Sequence, residues 1–157
     1  MVSIMKKVLF ISSTGGHLRE LMKLEPLFNS YDYSIITEKD NTTINLKEKY
    51  KVYYLPYSTR SKIVHYIFKY TFVIIKSIIL FIVLKPDVIV STGTHTAVPI
   101  CFFAKIFNKK IIYIETYANI TKKTLTGRLI YPISDLFIVQ WKEMKKLYPK
   151  AKYVNIV

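Results

Sequence analysis

Val8-Leu9-Phe10-Ile11-Ser12-Ser13-Thr14-Gly15-Gly16-His17-Leu18 joins an apolar run, a loop of small hydroxyl residues closed by a glycine pair, and the start of a helix-like segment. A strand with apolar side chains on both sides suits a parallel sheet covered on both faces. Where such a strand turns through glycines into a helix, the first helical turn leaves backbone N–H groups unpaired, and these attract phosphate or another anion. The same pattern returns at Val88-Ile89-Val90-Ser91-Thr92-Gly93-Thr94-His95. At the carboxyl ends of strands in one open α/β sheet, the two loops face a common crevice. Ser13, Thr14, Gly15, Gly16, Thr92, Gly93, Thr94 and His95 are therefore the expected phosphate- or anion-binding set.

On either side of these stretches apolar runs alternate with helix-like segments. Strands are expected at Val8 to Ser12, Tyr33 to Thr37, Val52 to Pro56, Val88 to Ser91, Ile111 to Glu115 and Leu136 to Gln140, with a last one at Tyr153 to Val157. Helices are expected at Leu18 to Phe28, Ser61 to Leu84, Thr96 to Phe107, Leu125 to Ile133 and Lys142 to Leu147. Alternation of this kind predicts an α/β fold, a Rossmann-like doubly wound parallel sheet. No linker or repeat divides the 157 residues, so 1–157 is expected to form a single domain. The lone cysteine, Cys101, sits in an apolar run and reads as a buried thiol of a reducing compartment. No cysteine–histidine spacing of a zinc site occurs, and neither metal nor cofactor is expected.

Twenty-four Lys and Arg against ten Asp and Glu, a formal charge of +14, call for an anionic partner. Nucleic acid is a poor choice, because no groove-reading motif is present and the lysines accompany apolar residues. The apolar stretch Val8 to Ile11 is too short for a secretory signal and runs into glycines, so the chain is expected to stay inside the cell. Between Ile63 and Leu84 the chain is apolar enough almost to span a bilayer, but Lys69 and Lys76 would each cost about 2.5–3.5 kcal/mol inside hydrocarbon. Lys62, Lys69 and Lys76 recur every seven residues and form a narrow stripe on a helix that is otherwise apolar. Two readings follow: a core helix whose lysines mark its solvent side, or a helix lying at a membrane surface. In the second, Arg60, Lys62, Lys69, Phe72, Lys76 and Phe81 hold the domain on an anionic leaflet, each basic residue contributing about 1 kcal/mol.

His17, where the first helix begins, is the candidate general base, since a neutral imidazole can take a proton from a sugar hydroxyl. The alternative is a His17 that caps the helix or only bonds a ligand. Glu115 places a carboxylate at the end of a buried strand, to meet hydroxyls in the site or to be salt-bridged nearby. Neither a P-loop nor a Gly-x-Gly-x-x-Gly loop occurs, so nucleotide binding by this chain alone is not expected. Trp141, Met144 and Tyr148, at helical offsets, form either a partner-facing stripe or ordinary core.

Thr14-Gly15-Gly16-His17-Leu18, Lys85-Pro86-Asp87-Val88-Ile89-Val90-Ser91-Thr92-Gly93, Ile114-Glu115-Thr116-Tyr117-Ala118, Thr126-Gly127-Arg128-Leu129, Tyr131-Pro132-Ile133-Ser134-Asp135 and Gln140-Trp141 follow one another in an order that resembles the PssD-type proteins of bacterial capsule and exopolysaccharide synthesis. These are similar to the small membrane-tethering subunit of the eukaryotic two-subunit N-acetylglucosaminyltransferase of dolichol-linked oligosaccharide synthesis, and the glycine loop also looks like that of the peptidoglycan enzyme MurG. The resemblance implies the N-terminal, acceptor-side half of a split GT-B glycosyltransferase. It implies as partners a separate nucleotide-sugar-binding chain and a polyprenyl-diphosphate-linked sugar, at the cytoplasmic face of the cell membrane with peripheral attachment. Galactose and N-acetylglucosamine are both donors the resemblance allows. It makes His17 the candidate base, places Glu115 in the acceptor pocket, and puts Tyr117, Asn119, Trp141, Met144 and Tyr148 toward the partner. The relative's N-terminal anchor has no counterpart before Lys7, so attachment is expected to fall to Ser61 to Leu84; the ending Tyr153-Val154-Asn155-Ile156-Val157 departs from the family's glycine-containing one. The rival expectation is a non-catalytic membrane adaptor that recruits a transferase.

Overall fold

In the computed structural model, which describes residues 5–57 and 63–156, the apolar runs become one all-parallel sheet. Its strands are β1 (Lys7–Ile11), β2 (Asp32–Glu38), β3 (Val52–Leu55), β4 (Val88–Thr92), β5 (Lys110–Ile114), β6 (Leu136–Val139) and β7 (Lys152–Tyr153), in the order β3-β2-β1-β4-β5-β6-β7. From β1 the chain passes through α1 (Gly16–Met22) and α2 (Glu25–Phe28) to β2 and β3. It then crosses back along α3 (Ile63–Leu84) to β4, and goes on through α4 (Val98–Ile106) and α5 (Leu125–Ile130). This is the expected doubly wound arrangement. Its direction reverses between β1 and β4, paired from Val8↔Val88 to Ile11↔Ser91, so the switch point opens between the two glycine loops.

Successive side chains of a strand point to opposite faces, and the two faces are covered unequally. On one, α3, α4 and α5 bury Val73, Leu80, Phe81, Ile100, Cys101 and Ile130 against Leu9, Ile11, Ile89, Ile111 and Tyr113. On the other, α1 and α2 bring Leu21 and Phe28 onto Val8, Phe10, Ile35 and Val90. Beyond them no helix among the described residues covers the second face, and half-buried Val88, Ile112, Leu136 and Ile138 floor an apolar groove of about 390 Å³ rimmed by Val154 and Ile156. Two carboxylates set the register at the sheet's amino edge. Asp87 Oδ2 accepts from the Lys7 amide at 3.1 Å, and Asp135 Oδ2 accepts from the Ile111 amide at 2.9 Å.

Several element boundaries differ from expectation, and prolines account for most of them. The helix expected over Leu18 to Phe28 breaks into α1 and α2, because Pro26 has no N–H for the Met22 carbonyl and its ring crowds that turn. Before α4, His95–Ala97 forms a 3-10 turn. Pro99 cannot donate to the His95 carbonyl, which instead takes the Val98 amide and, at 3.1 Å, the Tyr70 hydroxyl. Lys142–Lys146 is a 3-10 segment rather than an α-helix, confined between extended Trp141 and Pro149. A 3-10 segment at Ile44–Glu48 had no sequence signal. The last strand is only Lys152–Tyr153.

Candidate functional site

The two glycine loops meet at the carboxyl edge of the sheet. Gly15, exposed, takes φ 71° at the start of α1, a conformation that needs no Cβ. Gly93 takes φ 65° and is buried under its neighbours: a Cβ there would stand 3.0 Å from Thr116 Cβ and 3.1 Å from His17 Cε1 and Nδ1. The His17 ring therefore packs directly on the second loop. Thr92 Oγ1 completes the junction by donating to the His17 carbonyl at 2.8 Å.

Glu20, a residue the sequence did not single out, ties this junction to β5 and β6. Its Oε1 accepts from Thr116 Oγ1 at 2.9 Å and from the Tyr117 amide at 3.1 Å, and its Oε2 accepts from Gln140 Nε2 at 3.2 Å. The only local signal was the spacing: positions three apart on a helix share a face, which sets Glu20 beside His17. Burial lowers the His17 pKa from its ordinary value, opposed in smaller measure by the Glu20 charge and the Thr92 backbone. The imidazole is thus neutral near pH 7, the state a proton acceptor requires. Its Nδ1 is buried without a hydrogen-bond partner among the described residues.

Glu115 stands elsewhere. It is 1% exposed, and Thr124 Oγ1 donates to both its oxygens at 2.9 and 3.0 Å, Tyr148 OH to Oε2 at 2.8 Å, and the Thr116 amide to Oε1 at 3.2 Å. Thr124 in turn caps α5 by accepting from the Gly127 amide at 2.9 Å. A Cβ on Gly127 would collide with Glu115 Oε2 and the Tyr148 hydroxyl, which shows how closely α5 sits on this cluster. The expectation that Glu115 acts in the open site is corrected on these grounds: its carboxylate is spent holding α5 and Tyr148. Burial raises its pKa, against the lowering effect of the Tyr148 and Thr124 hydrogen bonds.

Of the anion-binding set, Gly15 and Gly16 are exposed and Thr14 and His95 half-buried, whereas Ser13, Thr92, Gly93 and Thr94 are buried. Thr94 accepts from the Thr96 amide at 3.4 Å, and the His95 ring stacks on Tyr70 with centroids 6.0 Å apart. Thr92 and Thr94 thus shape the loop, and the accessible backbone belongs to Gly15 and Gly16. Toward β6, Trp141 Nε1 donates to the Tyr117 carbonyl at 2.8 Å and the two rings lie 4.6 Å apart; Asn119 is half-buried, its amide donating to the Thr116 carbonyl at 3.3 Å. Met144 and Tyr148, expected on the same stripe, are core residues at 1% and 0% exposure. Their offsets placed them on one face, and that face turned inward. On α3, Lys69, Phe72 and Lys76 are exposed. Phe81, expected with them, is buried against Phe103 and Phe107. Arg60 and Lys62 lie outside the described residues.

A family model described as "Oligosaccharide biosynthesis protein Alg14 like" matches residues 8–157. The UDP-N-acetylglucosamine transferase subunit ALG14 of Homo sapiens is 29% identical over 175 residues, spanning 94% of this chain and 81% of that protein. The Candida albicans subunit of the same name is 30% identical over 167 residues, spanning 92% and 74%. Among solved structures, Acinetobacter baumannii MurG superposes with a TM-score of 0.73 at 15% identity over 95% of this chain. A UDP-N-acetylglucosamine 2-epimerase from Rickettsia bellii gives 0.72 at 16% identity, also over 95%. The chain spans 45% of the first enzyme and 44% of the second, so the shared fold is one Rossmann-like half of each.

Proposed function

The chain belongs to the Alg14-like family of oligosaccharide biosynthesis proteins, and from that membership we propose that it is the acceptor-binding, membrane-associating subunit of a two-chain GT-B glycosyltransferase. The donor we assign is UDP-N-acetylglucosamine rather than a UDP-galactose, after the name of the curated relatives. The acceptor is a polyprenyl-diphosphate-linked sugar at the cytoplasmic face of a membrane, in the assembly of a lipid-linked oligosaccharide such as a capsule or exopolysaccharide unit. A second chain supplies the nucleotide-sugar domain. The half-buried apolar floor over β4 to β6, which no helix among the described residues covers, supports such a partner, since a sheet face of that kind is normally covered.

The observation that carries this reading is a neutral His17 packed on Gly93 at the switch point, beside the exposed backbone of Gly15 and Gly16. In the proposed reaction an acceptor sugar hydroxyl attacks the anomeric carbon of the donor. The bond from that carbon to the UDP oxygen breaks, UDP leaves with the electron pair, and the hydroxyl proton passes to His17 Nε2. The glycine loop holds the acceptor diphosphate, while Glu20 fixes α1 to Thr116 and Gln140. Reconstitution with the transferase chain that co-purifies with it, under matched membrane loading, tests the proposal. Transfer that needs both chains and falls about a hundredfold or more with His17→Ala supports it, in keeping with the worth of a general base. Full activity of the variant pair leaves the chain as an adaptor only.

A further inference from the structure

α3 has two apolar faces. At about 100° per residue, Val73, Ser77 and Leu80, which are buried, lie about 150° from the centre of an exposed stripe of Phe68, Phe72, Ile75, Ile79 and Ile82. Lys69 and Lys76 fall between the two on one flank, about 60° from the buried side and about 90° from the stripe. On the other flank Phe81 meets the Phe107 ring at 5.7 Å. There α4 presents three more exposed apolar residues, Phe102, Ile106 at 70% and Phe107 at 56% exposure, with Lys105 exposed among them.

The geometry points to a monotopic membrane-docking surface made by α3 and the carboxyl end of α4 together, with α3 lying in the plane of an anionic leaflet and Ile106 and Phe107 inserted beside it. Three features commit the surface to lipid. A spanning α3 is ruled out by its inner face: crossing the bilayer would strip Val73, Leu80 and Phe81 from the sheet. The lysines stand at headgroup height when the outer stripe is down, the placement that lets their ammonium groups reach phosphate while their stems cover hydrocarbon. The apolar area also extends over two helices with basic residues at its margin, the pattern of an interfacial anchor. The proposal deepens the membrane-associating part of the reading above and rests on it. It further implies that the glycine-loop edge opens sideways along the leaflet, since α3 runs antiparallel to the strands and the Tyr70–His95 contact puts its early turns at that edge.

The test is vesicle co-sedimentation of the purified full chain on phosphatidylcholine with and without phosphatidylglycerol, joined to site-specific fluorescence. Trp141 is the single tryptophan, so Trp141→Phe gives a silent background for Phe72→Trp and Ile106→Trp. Expected are binding that needs phosphatidylglycerol and weakens with salt, and blue-shifted emission at both positions that lipid brominated near the headgroup end of its chains quenches. Ile106→Asp, at a side chain 70% exposed, lowers the partition coefficient about tenfold or more with the melting temperature unchanged. Should that variant unfold, the tryptophan reporters still decide. Quenching of Phe72→Trp alone, quenching only by lipid brominated near the chain terminus, or emission that shifts only when the transferase chain is added would each overturn the proposal. None of these readouts needs sugar transfer, so failure here and failure of the subunit reading are separate results.

Discussion

A carboxylate that is 1% exposed and holds donors on both oxygens, as Glu115 does, acts through the parts it joins. Glu115→Gln keeps the shape but puts two amide hydrogens where Thr124 and Tyr148 already donate, leaving a buried donor without an acceptor. The expected cost is about 1–3 kcal/mol of stability, read as a lower denaturant midpoint, with turnover of the folded subunit nearly intact; a collapse of kcat without loss of stability would restore Glu115 to the chemistry. The pH dependence carries a sign of its own. Because the folded-state pKa is raised, the contribution of Glu115 is complete below its unfolded value and is lost as pH rises through the folded value, a slope absent from the variant. The place of His17 beside the second glycine loop was legible from the sequence because the cue is local: a histidine at a glycine-loop helix start. Glu20 was not, because its partners Thr116 and Gln140 lie 96 and 120 residues away and only the folded sheet brings them near.

α3 shows what separates a core position from a surface one on a helix apolar nearly all round. Phe72 and Phe81 are the same residue type nine positions apart, yet one is 63% and the other 5% exposed. Phe81→Ala is expected to cost about 3–5 kcal/mol, as a large-to-small change in a packed core. Phe72→Ala should leave thermal unfolding within about 0.5 kcal/mol and weaken vesicle binding, so a melt and a sedimentation assay on the pair distinguish the faces. The period of seven in the lysines located the flank correctly, but composition could not say which apolar arc the sheet would take. The first six strands were legible to within a residue or two, since β-branched apolar runs suit strands buried on both faces, whereas the last stops at Tyr153. Helix ends were not, where Pro26 and Pro99 redirected the carbonyls that helical spacing would have used.

For the molecule as a whole, the unequal covering of the sheet is the property with most reach. Three helices lie on one face, while half of the other is an apolar floor that no helix among the described residues covers. If the transferase chain seats there, Ile138→Lys, half-buried in that floor, abolishes co-purification while the isolated chain keeps its melting temperature; retained capture would place the partner elsewhere, with the Tyr117–Trp141 edge the next surface to alter. The doubly wound order was readable from the alternation of runs together with the right-handed crossover rule, whereas the missing cover was not, because Val88, Ile112 and Ile138 read as fully buried positions in either case. The strand order also sets a timetable. β1 leaves the ribosome early, but its neighbour β4 follows some 80 residues later, several seconds at about 5–20 residues per second. α3 is complete before β4 and α4 exist to seat it, so during synthesis both of its greasy sides are open at once. If α3 docks on a leaflet as proposed, meeting a bilayer and closing the sheet are competing events in the biogenesis of the chain, and Lys69 and Lys76 bias the nascent helix to settle on the leaflet rather than thread through it.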